Sequence, residues 1–194
     1  MLGFAALCAN LPNQRYMMTP LYQKILGPAW DALPAPIRAM HTLRDRLEAR
    51  GFSHIERGTN LLSRAVAWMI GFPDAGDNVP VTVSFRLSDG VERWQRDFGG
   101  QRFVSYQSAG KGGLVDERFG PFTFGLELRL DEGRLHLVMR RWRFCGIPLP
   151  AFLAPGGNTF EHVEQGKFCF HVDILQPGIG LIVRYRGWLE LVAT

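Results

Sequence analysis

Arg96 is the first side chain whose position suggests chemistry. Asp89-Gly90 reads as a two-residue hairpin turn. That turn sets Phe85 opposite Trp94 and Val83 opposite Arg96. Residues two apart share a strand face, so Arg96 falls among Val81, Val83, Phe85, Trp94 and Phe98, with Glu92 on the same side. A guanidinium on an apolar face must be paired or must line a cavity. One reading is structural, an ion pair near the sheet rim with Glu92 or Glu117 as partner. The other is a mostly apolar pocket in which Arg96 meets the acidic head of an amphiphile. The candidate ligand-binding set is then Arg96, Trp94, Phe85, Phe124, Trp142, Glu117, His41 and Arg186.

Three further clusters deserve the same two-sided reading. Arg140, Arg141, Arg143, Arg184 and Arg186 interleave with Trp142, Tyr185 and Trp188. Arginines stacked with aromatics can hold phosphate or single-stranded nucleic acid. Alternate arginines on strands are more often a solvated face, so nucleic acid is not the expected partner. With Gln165-Gly166 as a turn, His162 faces Cys169, and His171 lies two residues along beside Asp173. The ligand types suit zinc, but the spacing matches no standard motif and a satisfied structural cluster is expected, with no metal. His41 sits beside Met40 on an apolar helical face, where a histidine bonded within the core is the commoner arrangement. There is no nucleophile elbow, paired-carboxylate motif or glycine-rich phosphate loop. No catalytic residue and no cofactor is therefore assigned.

The elements that must position these residues are mostly strands. In FTFGLELRLDEGRLHLVMRRWRFC, residues 122–145, Phe122, Phe124, Leu126, Leu128 and Leu130 alternate with polar residues or glycine. With Glu132-Gly133 as the turn, Leu130 meets Leu135, Leu128 meets Leu137 and Leu126 meets Met139. The phase then slips. One extra residue at Arg140-Arg141 would bring Phe124 to Trp142 and Phe122 to Phe144, which is the signature of a β-bulge. Burial of 138–144 on both faces is the alternative. Other strand segments follow from residue 80 onward, separated by Gly99-Gly100, Gly120-Pro121 and Gln176-Pro177-Gly178, giving about eight or nine in sequence.

Three helices precede them. Thr19-Pro20 opens the first. The second is expected over residues 36–50, with Ile37, Met40, His41, Arg44 and Leu47 on one face and Gly51 as its stop. A short strand follows over 52–57. The third helix starts at Thr59 or Asn60 and ends at Gly71, apolar almost all round; it is expected to pack on the sheet, with a lipid-dipping helix as the alternative. The fold class is α+β: N-terminal helices, then a curved antiparallel meander forming a half-barrel or barrel, with the helix over 60–70 on its concave face.

Length and composition fit one soluble domain. The chain has 194 residues, 46% hydrophobic and 21% charged, with net charge +4. Residues 1–17 are expected to be a disordered extension and 18–194 the domain. No apolar run approaches the roughly 20 residues of a membrane helix. Three cysteines suggest a reducing, cytoplasmic setting without disulfides.

The segments PLYQKILGPAWDALPAPIRAMH, ERGTNLLSRAVAWMIGFP, VPVTVSF, ERWQRDFGGQRF, ERFGPF, RRWRFCGIPLPAFLAP and GLIVRYRGWLE, in this order, resemble the bacterial family catalogued as domain of unknown function 4166. The resemblance covers nearly all of the chain from about Met18. It implies occurrence alone or C-terminal to NAD-dependent epimerase or short-chain-dehydrogenase-like domains, and hence an epimerase- or dehydrogenase-like partner. It assigns no activity and no functional residues. The leading expectation is a non-enzymatic binding domain for an apolar or amphiphilic small molecule. An auxiliary or catalytic domain beside such a partner is one alternative, and a protein-interaction module using the Arg/Trp face is another.

Overall fold

The computed structural model describes residues 19–193; the expected extension over 1–17 lies outside them. Two short helices come first, α1 (Leu21–Leu26) and α2 (Ala35–Met40), joined by a 3-10 turn over Gly27–Ala32. Strand β1 (Arg46–Arg57) leads into α3 (Leu61–Ile70). The rest is strand: β2 (Gly76–Ser88), β3 (Val91–Phe98), β4 (Gln101–Ala109), β5 (Val115–Phe119), β6 (Phe122–Asp131), β7 (Arg134–Phe144), the two-residue β8 (Ile147–Pro148), β9 (Thr159–Glu164), β10 (Lys167–Gln176) and β11 (Gly180–Leu191).

The turns are built as their residues dictate. Asp89-Gly90, Glu132-Gly133 and Gln165-Gly166 each hold both central residues at positive φ, 51° and 76°, 46° and 74°, and 50° and 78°. That geometry lets a two-residue loop follow the strands' own twist. The expected bulge is present: Leu126 pairs with Met139 but Gly125 with Arg141, leaving Arg140 as the extra residue, after which Phe124 meets Trp142 and Phe122 meets Phe144.

The strands run in the order β6-β5-β4-β3-β2-β1-β11-β10-β9-β7, and β6 pairs with β7. Ten antiparallel strands therefore close on themselves, with β8 added to β7. Of the two expected forms the closed barrel is the observed one. The seam is uneven. β6 and β7 pair over ten positions, whereas β7 and β9 share only Leu135↔Glu161 and His136↔Phe160. Beyond those two pairs residues 149–158 bridge the gap. Trp142 Nε1 donates to the Pro150 carbonyl at 3.0 Å, Gln176 Nε2 to that of Leu153 at 2.8 Å, and Gly156 pairs with Leu175.

The helix expected over 36–50 is shorter than the sequence suggests. It ends at Met40, residues 41–45 turn, and β1 starts at Arg46 and passes straight through Gly51. The strand's inward positions are Ala49, Gly51, Ser53 and Ile55, all buried. Three of these four are too small to register as an apolar alternation, which is why the strand was hidden. Their smallness has a use. A Cβ at Gly51 would lie 1.9 Å from the Trp188 carbonyl oxygen, and one at Gly187 2.0 Å from that of Phe52. Only glycine permits β1 and β11 to cross this closely.

Because α2 precedes β1 and α3 follows it, these helices sit at opposite ends of a 12-residue strand. At the α2 end Tyr22, Leu33, Ile37, Met40 and His41 are buried in the core. The α3 end differs. The Asn60 side chain caps the helix by accepting from the Ser63 amide at 2.7 Å, and Gly71 terminates it at φ 81°. Ser63 and Ala67 are its buried residues, while Leu61, Leu62, Trp68 and Met69 are exposed, Trp68 by 83%. The helix is expected to pack on the concave face; Val66 and Ile70 do pack against the core and line the barrel's cavity, while Leu61, Leu62 and Trp68 face away from it. No helix among the described residues is long and apolar enough to cross a membrane.

Candidate functional site

The barrel is not solid. It holds a partly open cavity of about 440 Å³, within the range of small-molecule sites. Strand alternation explains its walls. Val81, Val83 and Phe85 of β2 and Trp94 and Phe98 of β3 point inward, with Phe170 of β10 opposite. Phe85 and Trp94 meet edge-to-face at 4.6 Å between ring centres, a favoured aromatic geometry.

One row of inward positions is polar. Register carries it across neighbouring strands: Glu92 of β3 pairs with Gln107 of β4, Gln107 with Glu117 of β5, Glu117 with Phe124 of β6, and Phe124 with Trp142 of β7. Trp94 and Ser105 pair in the next row. Glu92, Ser105, Gln107 and Glu117 are all buried. Such groups need partners, and most have them. Trp94 Nε1 donates to Glu92 at 3.0 Å, Ser105 Oγ to Glu117 at 2.7 Å, and Arg96 Nη1 to Ser105 at 2.8 Å. Arg96 Nη2 reaches Glu117 at 3.4 Å. The guanidinium lies 5.0 Å from the Trp94 ring centre and 5.4 Å from that of Phe103.

Opposite this row, closure brings together residues far apart in the chain. Glu161 of β9 lines the cavity and lies 2.7 Å from His41 Nε2. The His41 ring stacks on Tyr22 at 3.7 Å and lies 5.6 Å from Trp94. Burial, then the negative charges of Glu161, Glu117 and Glu92, push the Tyr22 phenol well above its ordinary value, with a side-chain hydrogen bond to Gln107 opposing. Burial likewise pushes the Glu92 carboxyl up, and drives Tyr185, also on the cavity wall, up to about 12. Tyr22 and Gln107 are both buried residues of the cavity lining.

Of the candidates drawn from sequence, Arg96, Trp94, Phe85, Phe124, Trp142 and Glu117 all line the cavity. His41 stands behind Glu161 and does not reach the wall. Arg186 does not belong: it is exposed on the outer face, 3.6 Å from Glu56. Tyr22, Gln107 and Glu161 were missed. Gln107 was within reach, since carrying the Gly99-Gly100 turn forward pairs it with Glu92. Tyr22 and Glu161 were not, because no local pattern links positions 22, 41 and 161.

The outer clusters are largely self-satisfied. Arg140 pairs with Glu127, Arg141 with Asp116 at 2.8 Å, and Arg184 with Asp173 at 2.6 Å. Tyr185, grouped by sequence with this face, is buried inside instead. His162 does face Cys169, and with Glu164 they place three ligand-type atoms within 4.8 Å of one another. His171 leaves that group and contacts Asp173 at 3.1 Å.

A family model described as "Domain of unknown function (DUF4166)" matches residues 33–189. No curated protein matches the chain.

Proposed function

This chain belongs to the DUF4166 family, and from its hollow barrel we propose that it binds one apolar or amphiphilic small molecule inside. The cavity of about 440 Å³ carries this reading. A filled interior would bury more apolar contact area and stabilise the fold more, so a hollow kept open between aromatic walls supports a ligand. The thin β7–β9 seam supplies an entrance. Leu137, Met139, Trp142, Pro155, Gly156 and Val172 line the cavity on the two sides of that gap, and the 149–158 segment covering it is held mainly by backbone contacts.

The test uses the intact chain and the neutral, apolar fluorophore N-phenylnaphthylamine. Saturable one-to-one binding is expected, with rising emission as the dye leaves water. Val172→Trp, which fills space at the gap, should abolish it without unfolding the protein. Absence of saturable binding by the folded protein, together with no co-purifying small molecule in native mass spectrometry, would end the proposal.

One observation favours a second, catalytic reading. Glu161 opens onto the cavity within hydrogen-bond reach of His41, the arrangement of an oriented general base. In that reading the domain processes its ligand beside an epimerase- or dehydrogenase-like protein. Conversion of a recovered ligand by the native chain, lost in Glu161→Gln, would separate it from simple binding.

A further inference from the structure

α3 is built inside out. Leu61, Ala65, Trp68 and Met69 stand at i, i+4, i+7 and i+8, the spacing of a helix face that meets a core. Here that face, widened by Leu62, is exposed, and Ser63 and Ala67 are the buried residues. Two other segments meet α3 at this end of the barrel. Asn60 Nδ2 donates to the Ile179 carbonyl at 2.6 Å, which ties the start of α3 to the β10–β11 turn. Gln176, at the end of β10, holds the Leu153 carbonyl, and Phe152 and Leu153 are exposed. Charge avoids these segments. Residues 58–73, 146–158 and 177–183 hold a single charged side chain, Arg64, in a chain that is 21% charged. The flanking carboxylates Glu56, Asp74 and Asp173 are each paired with an arginine. We propose that this end of the barrel docks on the surface of a phospholipid bilayer, with Leu61, Leu62 and Trp68 of α3 and Phe152 entering the acyl boundary, and that the cavity exchanges its ligand with the bilayer there.

Two observations favour a bilayer over another protein. The first is continuity with the cavity. Met69 is exposed on the outer face of α3 and also lines the cavity, and Pro155, Gly156 and Ile179 line it from the other two segments. Apolar surface therefore runs from the outside into the hollow. A protein seated on this rim would close the opening. A bilayer covers the same side chains and is also the phase in which an apolar molecule resides, so contact removes the passage of that molecule through water. The second is composition. Tryptophan and leucine on one helix face with arginine beside them is the make-up of helices that lie in the membrane interface. Arg64 is exposed and one turn from Trp68, where a guanidinium can reach lipid phosphate while the apolar face is buried. With ten residues α3 is too short to cross the hydrocarbon core and would lie in the interface plane.

The exchange step rests on the cavity-binding reading, and docking is measured apart from it. The intact chain is floated with vesicles of phosphatidylcholine and phosphatidylglycerol in equal parts, and its binding of N-phenylnaphthylamine is followed without vesicles. The chain should float with the vesicles. Leu62, Trp68 and Phe152 are exposed and lie outside the cavity lining, so Leu62→Glu, Trp68→Glu and Phe152→Glu should fold and bind the dye as the native chain does. Each should lower the vesicle partition coefficient by at least about tenfold, the worth of burying one large apolar side chain. Arg64→Gln should lower it about fivefold on these vesicles and little on phosphatidylcholine alone. If the native chain does not float, or the three glutamate variants float equally well, the docking face is wrong and the cavity reading stands. If the chain is a dimer that Trp68→Glu separates and nothing floats, a second copy covers the face and the proposal falls. If the native chain floats, the variants do not, and the dye never binds, docking stands and the exchange step falls with the cavity reading.

Discussion

Replacing Arg96 by methionine removes the cation from a buried pair while keeping an unbranched side chain of similar reach. The Arg96 and Glu117 side chains are 13% and 9% exposed, so little solvent is at hand to screen a charge left alone. Breaking such a pair by deleting one partner typically costs about 3–5 kcal/mol. Two features place the expectation at the lower end: the separation of 3.4 Å is long, and Ser105 still donates to Glu117 at 2.7 Å. Loss of the guanidinium from above Trp94 and Phe103 removes about 0.5–1 kcal/mol more, which apolar packing by methionine offsets. We expect a loss of about 3 kcal/mol, or roughly 6–12 °C in Tm for a domain of this size. Urea unfolding of Arg96→Met, Glu117→Gln and the double variant measures it. The double variant should recover a large part of the loss, because the neutral amide is left without an uncompensated charge. A cost below about 1 kcal/mol, with the two substitutions simply additive, would show that the pair is solvated and that the floor of the cavity is wet.

Two other outcomes follow from the same coordinates. Gly51→Ala forces a Cβ to within 1.9 Å of the Trp188 carbonyl oxygen, so β1 and β11 must separate; the cost should be about 3 kcal/mol or more in urea midpoint analysis. Gly156→Ala, where a Cβ meets nothing within 4 Å, is the control and should change stability little. Glu92→Gln tests the electrostatics. Burial raises the Glu92 carboxyl in the folded state, so its contribution to stability is present below the ordinary carboxylate range and is lost as pH rises through the raised value. The amide keeps an acceptor for Trp94 Nε1 and carries no charge. The variant should therefore melt higher than the wild type at neutral pH, with the gain fading toward acid pH. A wild-type advantage at neutral pH would mean that the Trp94 bond outweighs desolvation.

Local pattern carried the sequence reading wherever turns and alternation agreed. The Asp89-Gly90 turn placed Arg96 opposite Val83 and Phe85 opposite Trp94, and both pairs are present. The Glu132-Gly133 turn and the slip at Arg140-Arg141 gave the bulge residue by residue. The failures have physical causes. β1 turns Ala49, Gly51 and Ser53 inward, and small residues carry almost no hydropathy signal, so a strand looked like the tail of a helix. α3 reads as buried because it is apolar all round, yet only one side of it meets the barrel: Val66, Met69 and Ile70 line the cavity while Leu61, Leu62 and Trp68 are exposed. The Glu161–His41 contact spans 120 positions and exists only because the barrel closes; no periodicity encodes closure.

The polar groups of the interior are concentrated at one end, and the topology says why. Arg46 at the start of β1 pairs with Arg86, close to the hairpin that carries Glu92. The row Glu92, Gln107, Glu117 therefore crosses the barrel near the end where α2 enters. Tyr22 and His41 come from the helical segment that covers this end, and Glu161 meets them from β9. The strands thus supply carboxyl groups that could not remain buried together without partners, and the N-terminal helices bring the imidazole and phenol that face them. His41, Arg96, Gln107, Glu117 and Glu161 lie within the family match over 33–189, whereas Tyr22 precedes it. The strands that wall the chamber fall almost wholly within the matched region, and Tyr22 reaches them from outside it, stacked 3.7 Å from His41.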